Sequence, residues 1–330
     1  MIRLLLLLLL AFPGSNLHAE HYVQRDDVQA FVLDMHGRHG FDVDALTALF
    51  SQTRPVAAVI KAILPPKDPS IRSWQAYRGR FVEPKRIAAG RRFMHSHAAE
   101  LAAAEVRFGV PAEIIAAIIG IETLYGKQLG RFGTFAALAT LAFDYPPRAE
   151  LFRKELEQLL LLAREENRSP LAYTGSYAGA LGLPQFLPSS RRRFAIDFDQ
   201  DGRIDLATSP GDAIGSVGNF LSEHGWERGA PIAVTVAVTG DGLQTLLDEG
   251  ITPKRTPRQM EEAYIGITKV GAGDTAIPEQ PAALIDLATP RATTEYRLGY
   301  RNFYVITRYN RSSFYAAAVM DLAAALRTLK

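Results

Sequence analysis

Cysteine is absent from all 330 residues. The chain therefore has no disulfide framework, no thiolate nucleophile and no cysteine ligand for a metal, and its stability must come from packed cores or from a metal held by other side chains. The same absence removes the cysteine on which lipoprotein anchoring depends. Charge of one sign is scarce too. The formal net charge is only +2, which gives no reason to expect nucleic-acid binding, where a basic stripe is needed. After the first twenty residues no apolar run is long enough to cross a bilayer, and neither an internal repeat nor a low-complexity segment is visible. A nucleophilic-serine elbow is missing as well. What remains is the composition of an ordinary globular protein, 48% hydrophobic and 22% charged, long enough for two or three units with their own cores.

The first residues carry a targeting signal. Arg3 precedes the run Leu4 to Leu10, then Ala11, Phe12 and the breaker Pro13, with small residues near His18-Ala19. A positive start, a short apolar stretch and a small-residue end match a secretory signal peptide over residues 1–19. A transmembrane anchor is the alternative, but the apolar run is about half the ~20 residues a span needs. The mature chain is expected to be exported and soluble, with no stable membrane anchor.

Helical spacing runs from Val28 to about Leu64, carried by Val43, Leu46, Leu49 and Phe50, until Pro65-Pro66 and Pro69 break it. Further helical stretches are expected from Pro84 to about Tyr125, from Pro147 to Glu165 and from Ser313 to Leu329. Leu159 to Leu162 is apolar on all sides, as in a buried helix. Gly175 to Pro188 holds too many glycines and prolines for a regular element and reads as a shaped loop. Beyond Trp226 the texture turns to strands: Ile232, Val234, Val236 and Val238 alternate with smaller or polar residues before the turn Gly240-Asp241-Gly242. Shorter strand-like runs follow at Tyr264 to Val270 and Ala283 to Leu287. Gly271-Ala-Gly273 reads as a hairpin turn, and His95 and His97 as surface residues, since i and i+2 point to different helix faces.

Two patterns carry chemistry. In the helix that opens at Pro111, Ile115, Ile118, Ile119 and Glu122 fall at i, i+3, i+4 and i+7 and share one face. That places a carboxylate on a stripe meant for the core, where burial raises its pKa toward what a general acid needs near neutral pH. The plainer alternative is that Glu122, near the helix end, turns into a solvated groove or pairs with an arginine. The second pattern is Asp197-Phe-Asp199-Gln-Asp201-Gly202-Arg203-Ile204-Asp205. Acids at loop positions 1, 3 and 5, glycine at 6 and an aliphatic at 8 match the opening of an EF-hand calcium loop, the alternative being an acidic solvated turn. At position 12 Thr208 stands where a bidentate glutamate is expected. Asp212 at position 16 opens the next helix and could close the site. A loop closed in this way argues for a structural calcium.

Taken in order, these pieces resemble the lytic murein transglycosylase B family, glycoside hydrolase family 103, over almost the whole mature chain. The carriers are Ser73-Trp-Gln-Ala-Tyr77-Arg, Gly120-Ile-Glu122-Thr-Leu-Tyr-Gly126, Ala136-Ala-Leu-Ala-Thr-Leu, Gly175-Ser176-Tyr-Ala-Gly-Ala-Leu-Gly-Leu-Pro-Gln185-Phe186-Leu-Pro-Ser-Ser190, Asp212-Ala-Ile-Gly-Ser-Val and Asn302-Phe-Tyr304-Val-Ile-Thr-Arg-Tyr309-Asn310. The resemblance implies a mainly α (α+β) protein. A goose-lysozyme-like helical core carrying the calcium loop would occupy 84–229, after a helical region at 20–83. A small β-rich domain would occupy 230–297, and the segment 298–330 would return to the core. It implies a periplasmic monomer acting on peptidoglycan glycan strands. The enzyme would cleave the bond between N-acetylmuramic acid and N-acetylglucosamine, leaving a 1,6-anhydromuramic end, with Glu122 as the one catalytic carboxylate. Ca²⁺ would be held by Asp197, Asp199, Asp201, the Arg203 carbonyl and Asp212, in a loop one residue longer before Asp212 than the family pattern. Substrate-binding positions fall on Tyr77, Ser176, Gln185, Phe186, Tyr304, Tyr309 and Asn310. A tyrosine that the family can place six residues before Tyr304 falls on Leu298. A muramidase that adds water to the same bond, and a wall-binding protein without activity, are the competing readings.

Overall fold

The computed structural model describes residues 22–64, 72–263, 265–270 and 276–327. The signal-peptide stretch, the Pro65-Pro66 and Pro69 break, the Gly271-Ala-Gly273 turn and the end of the last expected helix lie outside the described residues. Helices dominate: α1 (Asp26–His39), α2 (Val43–Ser51), α3 (Ala57–Ile63), α4 (Trp74–Phe81), α5 (Pro84–Ser96), α6 (Ala98–Phe108) and α7 (Ala112–Thr123) come first. A two-residue strand β1 (Phe132–Gly133) leads into α8 (Thr134–Asp144) and α9 (Ala149–Glu165), and β2 (Thr174–Gly175) pairs back antiparallel on β1. Then come α10 (Pro188–Phe194), α11 (Pro210–Glu223), β3 (Ala233–Thr239), α12 (Leu243–Asp248), α13 (Pro257–Ala263), β4 (Gly266–Lys269), β5 (Ala283–Leu287), β6 (Glu295–Gly299), α14 (Arg301–Tyr309) and α15 (Ser313–Arg327).

Three apolar cores organise these elements, and they cut across chain order. In the first, α1, α2 and α3 close over α8 and α9, where Phe50, Phe135, Phe152, Leu156 and Leu159 are shut away from water. Rings at the centre pack closely: Phe50 lies tilted 5.2 Å from Phe135 and meets Phe143 and Phe31 edge to face at 5.9 and 6.1 Å. Leu159 to Leu162 is buried throughout, which explains why that run has no polar side. The second and largest core joins α4, α5, α6 and α7 to α10, α11, α14 and α15, so the last helix of the chain packs against α7 in its centre. The third lies in the four-stranded antiparallel sheet, ordered β4-β3-β6-β5.

The sheet is fixed to the helical core through β5. With side chains alternating across a strand, Ala283, Ile285 and Leu287 join the helical core while Leu284 joins the sheet's own core. The register Leu284↔Leu298 and Val234↔Leu298 places the fully buried Leu298 at the middle of that layer. β6 was not legible as a strand, because its five residues abut the helix that follows. Its buried Arg297 pairs with Glu295 at 2.6 Å and with Asp321 of α15 at 2.9 Å, tying sheet to helices. At the start of α14, fully buried Asn302 accepts from the Glu227 amide at 2.8 Å and donates to the carbonyls of Glu227 and Ala230. Asn302 is thus a staple between the segment after α11 and α14.

The Phe50 ring lies wholly inside the first core, among Tyr22, Phe31, Phe135 and Phe143. Phe50→Ala leaves a cavity there and should cost about 3–5 kcal/mol of stability. A calorimetric melt should show the drop, while activity at 25 °C per folded molecule stays near that of the parent.

Candidate active site and metal loop

Helix α7 is apolar nearly all round, with Ile115, Ile118 and Ile119 fully buried, and Glu122 continues their face one turn later. The helix ends abruptly. Leu124 and Tyr125 take the left-handed conformation at φ 51° and 57°, and Gly126 follows at φ 86°. Two successive non-glycine residues in that region are held only by their surroundings. Thr123 supplies the hold: its hydroxyl donates to the Leu183 carbonyl at 3.0 Å and accepts from the Gly126 amide at 3.1 Å. The Tyr125 ring folds back under the helix, so close that a Cβ on Gly120 would stand 2.4 Å from its hydroxyl. The Gly120 carbonyl also accepts from the Arg86 guanidinium at 2.8 Å, which fixes the last turn from the side of α5.

Glu122 therefore projects from a rigid end into a setting of tyrosines. The Tyr315 hydroxyl, from the first turn of α15, donates to its Oε1 at 2.6 Å. The Tyr309 ring lies parallel to that of Tyr315, 6.3 Å away, and its hydroxyl donates to the Pro184 carbonyl at 2.5 Å. Burial, with the Tyr315 bond partly opposing, pushes the Glu122 carboxyl from 4.5 up to about 7. Burial and then the charge of Glu122 push Tyr77 up to about 12, and the same two causes raise Tyr309 and Tyr315 well above the usual phenol range. All three phenols thus stay protonated around the carboxylate. Among the described residues no arginine or lysine pairs with Glu122 and no second carboxylate perturbs it. The arginine-paired alternative is not met among the described residues, and the side chain keeps part of its surface open.

The loop after β2 forms the neighbouring wall. Gly175 is confined so tightly that a Cβ would meet the Ala180 carbonyl oxygen at 2.1 Å. Ser176, half-buried, accepts at its Oγ from the amides of Ala178 and Ala180, at 3.3 and 3.0 Å. Gln185 is left-handed at φ 51°, and its amide nitrogen donates to the carbonyls of Gly182 and Leu129 at 2.9 and 3.3 Å.

The expected site residues do not all meet here. Tyr77 and Tyr309 share the surroundings of Glu122. Phe186 is 2% exposed and packs on Phe220 and Tyr309, so it supports the wall from behind instead of facing a ligand. Tyr304 points elsewhere: its ring lies between the guanidiniums of Arg301 and Arg308, 5.7 and 6.0 Å from its centre. Five residues separate it from Tyr309, which at about 100° per residue turns it well away on the helix. Leu298, where a family tyrosine was looked for, is buried in β6. The six-residue spacing is met instead by Tyr309 and Tyr315. Asn310 follows α14 as an exposed residue. Tyr315 was missed in the sequence because Ser313-Phe-Tyr-Ala-Ala-Ala reads as the start of a core helix; its spacing from Tyr309 was the available signal.

The acidic loop folds as a turn with Gly202 at φ 87°, where the sharp bend was expected. Carboxylate oxygens of Asp197, Asp199 and Asp212 come within 4.8 Å of one another. Asp201 stands outside this trio and accepts from the Arg203 amide at 2.8 Å. Asp212, 1% exposed, accepts from the amides of Phe198 and Asp205 at 2.8 and 2.7 Å, and burial together with Asp199 raises its pKa. Three converging carboxylates, one of them buried, with no cationic side chain among them fit a hard divalent cation. The loop is coupled to the wall beside Glu122, since the Leu206 carbonyl accepts from the Leu183 amide at 2.7 Å.

A mainly helical body with a glutamate held at a helix end among phenols is the frame in which the comparisons with known proteins fall. Residues 24–324 match the family model of the transglycosylase SLT domain. The chain is 38% identical over 320 residues to membrane-bound lytic murein transglycosylase B of Escherichia coli K12, covering 92% of this chain and 84% of that protein. Its structure superposes on soluble lytic transglycosylase SltB1 of Pseudomonas aeruginosa with a TM-score of 0.82 at 41% identity, covering 91% of this chain and 98% of that one. The Escherichia coli transglycosylase Slt35, crystallised in complex with calcium, gives a TM-score of 0.78 at 39% identity over 90% of this chain and 91% of that one. The chain belongs to the SLT-domain transglycosylase family, the lytic transglycosylases of peptidoglycan.

The raised pKa of Glu122 has a consequence for stability. Below pH 4.5 the group is protonated folded and unfolded alike and contributes nothing. Between 4.5 and about 7 the unfolded chain ionises first, so folding is penalised increasingly, and above 7 the penalty is complete. Glu122→Gln keeps the shape and the acceptor for Tyr315 but has no charge to desolvate. It should melt like the parent at pH 4 and be more stable by about 2–3 kcal/mol at pH 8. Parallel melting curves at both pH values would show no such titration.

Proposed function

We propose that Glu122 is the single acid and base of a reaction that cleaves the bond between N-acetylmuramic acid and N-acetylglucosamine and closes a 1,6-anhydro ring. One observation carries this: a carboxyl with a pKa of about 7, hydrogen-bonded to a tyrosine, with no second acid beside it. Ordinary glycoside hydrolysis needs two carboxylates across the bond. With one, Glu122 first donates a proton to the leaving oxygen and then withdraws one from the muramic C6 hydroxyl. That hydroxyl belongs to the reacting sugar and so has a large advantage in effective concentration over water.

Ser176 has a defined part in this reading. Because its oxygen already accepts two amides, its own proton is free to donate, which suits the carbonyl of an N-acetyl group. Gln185 is the converse: both protons of its amide are engaged, and its oxygen is left to accept from a sugar hydroxyl. Tyr77 and Tyr309 line the Glu122 pocket, whereas Tyr304 and Asn310 lie at its margin. The helical body is read as a goose-lysozyme-like core. Asp197, Asp199 and Asp212 would hold a structural Ca²⁺, joined by the Arg203 carbonyl, with Asp201 reaching it through a change of rotamer. The leader-like first residues support export to the periplasm. Among the described residues no helix is long and apolar enough to cross a membrane.

Digesting purified sacculi tests the reaction. The parent should release mainly 1,6-anhydromuropeptides, lighter by one water than hydrolytic products, and reducing muramic ends as the main product would make it a hydrolase. Glu122→Gln should lower cleavage at least about a hundredfold while still binding glycan. Cleavage at the parental rate would remove Glu122 from the mechanism.

Calcium should raise the melting temperature, since a ligand bound only by the folded state stabilises it by about 2.7 kcal/mol at a hundredfold excess over Kd. Asp199→Ala should abolish that response. Identical melts with calcium and with chelator would show that the trio holds no such ion.

A further inference from the structure

The glycan of a cell wall carries peptide stems, and the structure shows where their charge would be met. Arg193 at the end of α10 and Arg308 at the end of α14 are exposed, and among the described residues neither has a carboxylate within ion-pair distance. Their neighbours behave differently. Arg191 and Arg192, immediately before Arg193, are spent on Glu166 and Glu165 at 2.7 and 2.6 Å. Arg301, on the turn of α14 before Tyr304, is anchored to the carbonyls of His224 and Gly225 at 3.2 and 3.3 Å.

Shared neighbours link both guanidiniums to one place: Arg193 overlies Phe194, and Arg308 shares the Tyr304 ring with Arg301, which donates to the carbonyl of His224. Its ring is stacked on Phe220 at 4.1 Å and lies 5.0 Å from Phe194, whose ring in turn carries Arg193 at 5.0 Å. Arg193 and Arg308 both act on His224 to disfavour its protonation, along with its burial, and the single acid opposing them is exposed Glu223. This cationic cluster is not remote from the carboxylate that cleaves. Phe220 also touches Tyr309 at 4.8 Å, and Tyr309 stacks with Tyr315, the donor to Glu122. His224 and its arginines therefore stand two ring contacts from Tyr309, a reach suited to a short peptide attached to a sugar in the Glu122 pocket. Unpaired positive charge held on aromatic rings, with Tyr304 between Arg308 and the anchored Arg301, suits carboxylates on a flexible chain.

We propose that Arg193 and Arg308 form an anion subsite that binds the carboxylates of the peptide stems on the glycan strand. The subsite rests on the reading of Glu122 as a peptidoglycan-cleaving group and adds a preference for acidic, uncut stems. It would set substrate affinity and leave the chemical step untouched.

Two substrates separate these effects: glycan strands with native stems, and the same strands with their stem carboxylates chemically amidated. The parent should show a KM about five- to tenfold lower on native than on amidated strands, with similar kcat, the size expected of two exposed charge pairs. R193Q/R308Q should erase this difference by raising KM on native strands only. R193K/R308K, which keeps the charge, should restore at least part of it. Raised salt should weaken the parent's preference. A parent that does not distinguish the two substrates, a glutamine variant that still does, or a variant equally impaired on both would overturn the subsite. Cleavage of neither substrate by the parent would instead overturn the reading of Glu122 itself.

Discussion

The hydroxyl of Thr123 is the point on which the arrangement turns. By donating to the Leu183 carbonyl and accepting the Gly126 amide, it stops α7 within one residue of Glu122 and joins that helix to the loop opposite. The Leu183 amide then donates to Leu206, and Asp205, just before Leu206, is held by Asp212. A carboxylate on an otherwise apolar helix thus has its position set by a short ladder of hydrogen bonds reaching the acidic loop. A cation in that loop would have a mechanical role even though it stands apart from Glu122. Fixing Asp212 fixes Leu206, and through Leu183 the wall that faces the glutamate. Without this ladder, two left-handed residues in succession would have nothing to hold them.

On the proposed reading, Glu122 is a cost the fold carries for a purpose. Desolvating a carboxylate opposes folding, and the same desolvation gives the group a proton to donate near neutral pH. Three cores offset that cost in a chain with no disulfide. The arrangement is interlocked: the last helix packs at the centre of the second core and supplies Tyr315, so the acid site is complete only once the C-terminal end has folded onto α7.

Much of this was legible beforehand, for identifiable reasons. Periodicity of 3.6 located the helical stretches at both ends and in the middle of the chain, alternation located β3, and shorter strand-like runs covered β4 and β5. The carboxylate at i+7 on the apolar face of α7 gave Glu122, and the glycine spacing gave the turn at Gly202. What escaped depends on contacts distant in sequence. Tyr315 looks like a core residue until α15 is placed against α7. The strand β6 is defined by its two partners and only weakly by its own residues. Segmenting the chain in order could not show that α8 and α9 share a core with α1 to α3, because burial is decided by tertiary packing. A motif match also carries no phase. Tyr304 and Tyr309 lie in one recognisable string, yet the helix turns one toward Arg301 and Arg308 and the other toward the neighbourhood of Glu122.

The phenols around Glu122 bear on why one carboxylate suffices. Burial and the nearby charge keep Tyr77, Tyr309 and Tyr315 protonated, so none of them can serve as a general base for water at neutral pH. On the proposed reading, a hydrolytic outcome would need a base on the far side of the sugar, and among the described residues no second carboxylate perturbs Glu122. Once the leaving group departs, the base present is the carboxylate that has just lost its proton. On the proposed reading, the nucleophile within its reach is a hydroxyl the sugar already bears. The choice between ring closure and hydrolysis then follows from what surrounds Glu122: neutral phenols on one side, and on the other a loop pinned by Thr123.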